Sequence, residues 1–167
     1  MDIKIYNQRK IYDSQFLTSF ILDTTADNLS YIYGEEMRSA ENRQTWIKYN
    51  LEQTDKTWHT VIGFRNGEPL GFIIYKIDKN CLYICDIEII KSARRNPVLL
   101  GGLLRKMITT EDFTCISGYI NRENTLSQKN FLKYATDITE TEKGYSFRIN
   151  EETTQRIKER MNSFSNS

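Results

Sequence analysis

The sequence is poor in the residues from which metal centres and disulfide frameworks are built. It has one histidine, His59, and three cysteines among 167 residues. A single histidine excludes a His-rich metal site, and three cysteines in a chain of this length do not suggest a disulfide framework. We therefore predict no bound metal and expect Cys81, Cys85 and Cys115 to be buried free thiols.

Long apolar runs and an excess of one charge are also missing. No apolar run approaches the ~20 residues that a membrane-spanning helix needs, and the segment Met1–Lys10 is polar, unlike a signal peptide. The 23 basic and 22 acidic residues give a net charge of +1, whereas nucleic-acid-binding domains usually carry a basic excess. We expect a cytoplasmic protein that binds neither membranes nor nucleic acid.

What is present fits one α/β domain. Its 39% hydrophobic residues and its length suffice for a buried core. We predict a single domain over residues 1–161 and a flexible tail over residues 162–167. Hydrophobic periodicity near the N-terminus predicts a strand at Asp2–Tyr6 and helices at Asp13–Leu22 and Glu35–Gln53. The aromatic segment Asn28–Gly34 between these helices is interpreted as a packed loop or a binding edge.

The middle of the chain predicts an antiparallel meander. Asn-Gly at positions 66 and 67 is a strong hairpin signal because both positions tolerate φ > 0, and Asp78–Asn80 is a second turn signal. The three predicted strands are Thr57–Arg65, Leu70–Ile77 and Cys81–Ile90.

The remaining elements predict a crossover and a closing hairpin. A helix, a strand and a helix follow the meander, and this order implies one parallel strand pair. We therefore predict an α/β fold of the α+β kind, a mixed, mostly antiparallel sheet of six to seven strands flanked by helices. The last predicted elements are Pro97–Ile108, Phe113–Ile120, Thr125–Tyr134, Ile138–Glu142, Tyr145–Ile149 and Glu151–Met161.

A basic segment leads from the third meander strand into the next helix. No acidic residue lies between Glu88 and Glu111, and Asn96-Pro97 is typical of a helix start. A helix N-terminus behind arginines favours binding of a phosphate or pyrophosphate; a capped helix with a solvated basic loop fits the local sequence equally well. The basic residues are Lys91, Arg94, Arg95, Arg105 and Lys106.

Two carboxylates share one face of the strand before this segment. Asp86 and Glu88 are two residues apart on an otherwise apolar strand. Side by side in a cleft, one of them would have its pKa raised by burial and by its neighbour. Such a group could act as a general base or bind an amine; the alternative is an ion pair with a lysine or arginine on a neighbouring element.

The order of these elements and four sequence stretches resemble the GNAT superfamily of acyl-CoA-dependent N-acyltransferases. The resemblance covers Gly67 to Ile149, and it implies transfer of an acetyl group from acetyl-CoA to a small-molecule amine or a protein amino group. A homodimer is possible. The alternative function is that of a catalytically inactive GNAT-fold binding or assembly module. The stretches that carry the resemblance are Gly67–Ile77, Cys81–Ile90, Arg94–Ile108 and Ile120–Ala135.

The resemblance also implies a set of site residues. Glu88 or Asp86 would be the general base, with Glu88 nearer the cofactor end. Phe131 stands where many members have a tyrosine acid, so Tyr134, one helical turn away, is the candidate acid. The implied cofactor-binding residues are Ile89, Ile90, Arg95, Asn96, Val98, Leu99, Leu100, Gly101, Asn124 and Phe131, among which Val98 and Leu100 replace small residues of the family pattern.

Overall fold

The computed structural model describes residues 1–52 and 56–163. Within them, seven strands form one sheet in the order β1-β2-β3-β4-β5-β7-β6, which confirms the predicted mixed, mostly antiparallel sheet with helices. The strands are β1 Asp2–Asn7, β2 Trp58–Arg65, β3 Glu68–Asp78, β4 Cys81–Ile89, β5 Cys115–Asn121, β6 Asp137–Glu140 and β7 Gly144–Ile149. The helices are α1 Gln8–Tyr12, α2 Gln15–Tyr33, α3 Ala40–Trp46, α4 Pro97–Thr110, α5 Thr125–Phe131 and α6 Glu151–Ser163.

The chain forms two compact units, which we describe separately. The first comprises Met1–Ile74 and Asp86–Lys106, and the second comprises Tyr75–Cys85 and the chain from Met107 onward. Fully buried side chains in the first unit include Ile11, Ile21, Leu51, Ile62, Phe72, Ile73, Ile74, Leu99 and Leu103. Those in the second unit include Tyr75, Leu82 and Met107.

In the first unit, α2 is much longer than the sequence predicted. Ser14 caps its start by accepting a hydrogen bond from the Leu17 backbone, and Gly34 ends it at a φ of 110°. The prediction of a loop or edge at Asn28–Gly34 was wrong. The buried side chains repeat at helical spacing through the segment, as Ile21 and Asn28 show, so the helix buries a continuous face.

The predicted helix Glu35–Gln53 is divided into three pieces. A 3-10 turn covers Glu35–Arg38, α3 follows, and a π-helical turn covers Ile47–Leu51. Ser39 interrupts the run because its extended backbone and side chain cap α3. Gln53 lies outside the described residues.

The two predicted turns of the meander are confirmed. Asn66 and Gly67 have φ values of 53° and 85°, and Lys79 and Asn80 have values of 47° and 61°. Left-handed backbone at both central positions matches the twist of antiparallel strands. These local signals therefore predicted that β2, β3 and β4 are neighbours in the sheet.

Close contacts at two glycines place α4 against the strands of the first unit. A Cβ atom built on Gly63 of β2 would lie 2.6 Å from Leu99 Cδ1, and one on Gly102 would lie 2.6 Å from Ile3 Cδ1. The absence of side chains at these glycines lets the helix approach β1 and β2. This packing sets where α4, and the basic segment before it, begins.

In the second unit, β4 and β5 pair in parallel. Cys81–Ile84 aligns with Cys115–Gly118, as the crossover rule predicted. Cys81 and Cys115 stand opposite each other in this register and form a disulfide bond, so the expectation of free thiols was wrong for this pair. Residues so far apart in sequence meet only through strand pairing, which cysteine spacing alone does not reveal.

The C-terminal elements complete the second unit. β7 pairs antiparallel with both β5 and β6, and α6 runs to Ser163, two residues into the predicted tail. Residues 164–167 lie outside the described part. Among the described residues, no helix is long and apolar enough to cross a membrane.

Two glycine substitutions test the packing around β4. A Cβ atom on Gly71 of β3 would lie 2.9 Å from the Glu88 carbonyl oxygen and 3.2 Å from Ile89 Cα, whereas one on Gly101 of α4 would meet nothing within 4 Å. Gly71→Ala should lower the free energy of unfolding by about 1–3 kcal/mol, because backbone cannot yield as a side chain can. Gly101→Ala, the matched control, should raise it by about 0.5–1 kcal/mol. Urea denaturation measures both; equal effects would contradict the close approach of β3 and β4.

Candidate active site

The centre of the candidate site is the carboxylate pair on β4. Asp86 and Glu88 both belong to the part of this strand that lies in the first unit. Strand geometry places side chains two residues apart on the same face, as the sequence predicted. Both residues are partly buried, and Asp86 Oδ2 is buried without a hydrogen-bond partner in the described part of the chain.

Burial changes the acidity of both groups. It raises the pKa of Asp86 from 3.8 to about 7. Burial, and then the negative charge of Asp86, also raises the pKa of Glu88 well above 4.5. Two ionised carboxylates cannot donate to each other, so a proton on one of them supplies the donor of the hydrogen bond between Asp86 and Glu88. The pair is therefore suited to hold and release one proton near neutral pH.

Asn28 of α2 joins this pair to the basic segment. Its Nδ2 donates to Glu88 Oε2 and to the Ile89 carbonyl oxygen, the latter at 3.2 Å, and its Oδ1 accepts from Arg94 Nη2. The hydrogen bond from Asn28 and the positive charge of Arg94 both lower the pKa of Glu88, opposing burial. The alternative predicted from the sequence was an ion pair between one of the carboxylates and a basic side chain. Arg94 is linked to Glu88 through the Asn28 amide, to which its guanidinium donates a hydrogen bond.

Sequence reasoning missed this role of Asn28. The residue is 7% exposed and follows Ile21 by seven positions, so both lie on one face of α2. A polar amide on the buried face of an amphipathic helix needs partners. That signal was present in the sequence, but it is visible only once the helix is extended through the segment.

The backbone groups predicted to contact a cofactor already have partners within the chain. The Ile89 carbonyl oxygen accepts from Asn28 and, at 3.4 Å, from Arg94 Nε. The Ile90 amide donates to the Leu70 carbonyl oxygen at 3.0 Å. A ligand that pairs with this stretch of β4 must use other groups or replace these bonds.

The start of α4 is capped by Asn96. Its Oδ1 accepts from the Val98 amide at 3.1 Å, and its carbonyl oxygen accepts from the Leu99 amide at 3.2 Å. The Val98 side chain is 66% exposed, whereas Leu99 is fully buried. Of the predicted binding residues here, Leu99 is therefore a core residue and Asn96 a cap, while Arg95 and Gly101 are exposed and Leu100 is partly buried.

The other predicted site residues lie in the second unit. Asn124 caps α5 by accepting from the Ser127 amide at 3.0 Å, and Phe131 stacks on Phe147 with ring centroids 6.0 Å apart. Tyr134 is 43% exposed at the end of a 3-10 turn. Asn124 and Phe131 therefore have structural roles, and Tyr134 presents a hydroxyl-bearing ring to solvent.

The first unit also has a cleft between α2 and α3. Its volume is about 260 Å³. Thr25 Oγ1, on its α2 side, is buried and has no hydrogen-bond partner among the described residues. None of the predicted catalytic or cofactor-binding residues lines it. The main lining side chains are Leu22, Thr25, Leu29, Met37, Trp46 and Tyr49.

Metal-binding side chains do not gather in the described residues. No group of three or more histidine, cysteine, aspartate or glutamate side chains there could hold an ion.

Solved acetyltransferase structures have the same fold. PaiA N-acetyltransferase from Thermoplasma acidophilum, in complex with coenzyme A, matches with a TM-score of 0.63 and 14% identity over 90% of this chain and 99% of that one. An acetyltransferase from Thermus thermophilus gives 0.65 and 10% over 90% and 97%. A GNAT-family acetyltransferase from Bacillus cereus gives 0.55 and 18% over 89% and 95%. No family model and no curated protein sequence matches the chain.

The buried carboxylates predict a specific dependence of stability on pH. Between its ordinary pKa of 3.8 and its raised value of about 7, Asp86 holds a proton in the folded state that the unfolded chain has lost. Stability from this group is full below about pH 4 and is lost as pH rises through about 7. Asp86→Asn cannot ionise, so its stability relative to the original protein should be roughly 1–2 kcal/mol higher at pH 8 than at pH 5, a value discounted for partial exposure.

Urea denaturation at the two pH values measures this difference. Asp112→Asn, at an exposed position, is the matched control and should show a smaller change between pH 5 and pH 8. Equal effects of Asp86→Asn at both pH values would show that the carboxyl group is not desolvated in the folded protein.

Proposed function

The chain has the fold of the GNAT acetyltransferases, and from that premise we propose that it is an N-acyltransferase that moves an acetyl group from acetyl-CoA to an amine. The observation that carries the proposal is the ionisable pair on β4. Burial raises the pKa of Glu88, and an amide from α2 fixes its carboxylate. Fold alone does not decide function, so the proposal depends on this pair.

Glu88 is the proposed general base. An amine acceptor is protonated near neutral pH and must lose a proton before its nitrogen can attack. A carboxylate whose pKa is raised by burial is a stronger base than an exposed one. Glu88 takes this proton, directly or through a water, and Asp86 beside it makes the protonated state of the pair favourable.

The charges of the basic segment fit the phosphates of coenzyme A. Lys91 and Arg95 are exposed, and the space around Gly101 is open, so an anion can approach this end of α4. The amides of Val98 and Leu99 already bond to Asn96, which leaves side-chain cations as the main proposed contacts. Acetyl-CoA, when bound, supplies an activated thioester carbonyl.

The transfer forms one bond and breaks another. The neutral acceptor nitrogen bonds to the acetyl carbon as the carbon–sulfur bond breaks. The proton that Glu88 took from the ammonium passes to solvent, and the second proton that the nitrogen loses balances the one gained by the leaving sulfur. Within the second unit, Tyr134 is the proposed acid, because Phe131 has no hydroxyl and stacks on Phe147. The proposed acceptor is a small-molecule amine or a protein amino group, and the proposed location is the cytoplasm.

A second candidate is a GNAT-fold module that binds a partner without catalysis. Two observations favour it. Asn96 occupies the first amides of α4, and Phe131 fills the place of a tyrosine acid while packing in the second unit. Both features remove or occupy groups that acetyl transfer would use. Neither feature involves the Asp86–Glu88 pair.

Calorimetric titration with acetyl-CoA, followed by an acetyl-transfer assay on a panel of amines, tests the proposal. Glu88→Gln should lower kcat by about 10²–10⁴-fold, because it removes a general base, and should leave the affinity for acetyl-CoA nearly unchanged. Glu68→Gln, at an exposed position in the first unit, is the matched control and should retain activity. Absence of binding heat at high concentrations of acetyl-CoA would favour the second candidate, and unchanged activity of Glu88→Gln would remove Glu88 from the mechanism.

A further inference from the structure

The Asn28 side chain both donates and accepts hydrogen bonds. Its Nδ2 donates to Glu88 Oε2 and to the Ile89 carbonyl oxygen, and its Oδ1 accepts from Arg94 Nη2. The orientation of the amide follows from its partners. A flipped amide would set its oxygen against the carboxylate and the carbonyl, and its NH2 group against a guanidinium that can only donate. The bonds therefore define one orientation of the side chain.

Arg94 is anchored on the same backbone group. Its Nε donates to the Ile89 carbonyl oxygen at 3.4 Å, so Asn28 and Arg94 share one acceptor and also bond to each other. Arg94 is an exposed residue of the basic segment, and it carries a positive charge. A positive surface charge is thus linked through one buried amide to a partly buried carboxylate.

We propose that Asn28 is a positioning residue, through which Arg94 holds Glu88 in the orientation and charge state required for proton transfer. The inference rests on the proposed role of Glu88 as a base. Asn28 touches neither of the reacting atoms of the proposed transfer, so it acts through Glu88. It would make the base sensitive to the state of a segment that we also propose to bind phosphate.

The groups around Glu88 determine how its ionisation changes when the hydrogen-bonded link to Asn28 and Arg94 is lost. Asp86, on the same strand, opposes ionisation of Glu88, and Arg94, after the strand, favours it. From α2 the facing group is the uncharged Asn28, and β3 approaches the Glu88 backbone at Gly71, which brings no charge. Removing the amide or the guanidinium takes away one of the two groups that oppose burial and Asp86, so Glu88 should retain its proton to higher pH.

Carboxyl ¹³C NMR titration of Glu88, in the protein without acetyl-CoA, tests the inference directly. Asn28→Ala and Arg94→Gln should each move the titration midpoint of Glu88 upward. Arg65→Gln is the matched control, since Arg65 is an exposed arginine of the first unit, and it should leave the midpoint in place. A residue with only a packing role would change stability without moving this midpoint.

The double variant separates a linked pair from two independent effects. Because Arg94 also holds the Asn28 amide in place, the combination of Asn28→Ala and Arg94→Gln should shift the midpoint by clearly less than the sum of the two single shifts. Additive shifts, or no shift in either single variant, would overturn the inference. If Asn28→Ala does not fold, Arg94→Gln alone still decides, because Arg94 is exposed and an unchanged midpoint there rejects the link.

The pH profile of kcat/KM provides a readout that separates this inference from the proposed function. In the Asn28→Ala and Arg94→Gln variants, its acid limb should move to higher pH, together with the NMR midpoint. If the original protein transfers no acetyl group, the proposed function fails while the titration still judges the link. If transfer occurs and neither the midpoint nor the acid limb moves, the inference fails and the proposed function stands.

Discussion

Desolvation of two neighbouring carboxyl groups is the constraint on which the rest of the site depends. An isolated buried carboxylate costs far more free energy than a fold of this size can spare. The structure reduces that cost in three ways: Asp86 and Glu88 can share a proton, Asn28 donates to Glu88, and Arg94 adds a positive charge. The close approach of Gly71 keeps β4 where these groups can meet it.

The end of β4 makes hydrogen bonds through its backbone as well as through its side chains. The Ile89 carbonyl oxygen is shared by Asn28 and Arg94, and the Ile90 amide bonds to β3. Carboxylates, backbone and basic segment therefore form one hydrogen-bonded assembly within the first unit. Any ligand that binds the basic segment changes the electrostatic surroundings of Glu88, because Arg94 belongs to both.

Local chemistry in the sequence predicted much of this arrangement. Period-two spacing placed Asp86 and Glu88 on one face, and Asn66-Gly67 and Asn96-Pro97 marked a turn and a helix start that the structure contains. One missed feature depends on contacts between distant residues, and the other has a local cause. The Cys81–Cys115 disulfide requires the register of β4 against β5, and the aromatic content of the segment after Asn28 obscured its helical periodicity.

The extension of α2 through Asn28 has a consequence for the entropy of the site. The helix has 19 residues, about 28 Å at 1.5 Å per residue, and Asn28 lies one and a half turns before its end. Fixing the backbone of a single loop residue costs roughly 1–2 kcal/mol of conformational entropy. An asparagine in a helix has already lost that freedom when the chain folds. The amide that orients Glu88 is therefore preorganised, and the proposed transfer would not have to order it.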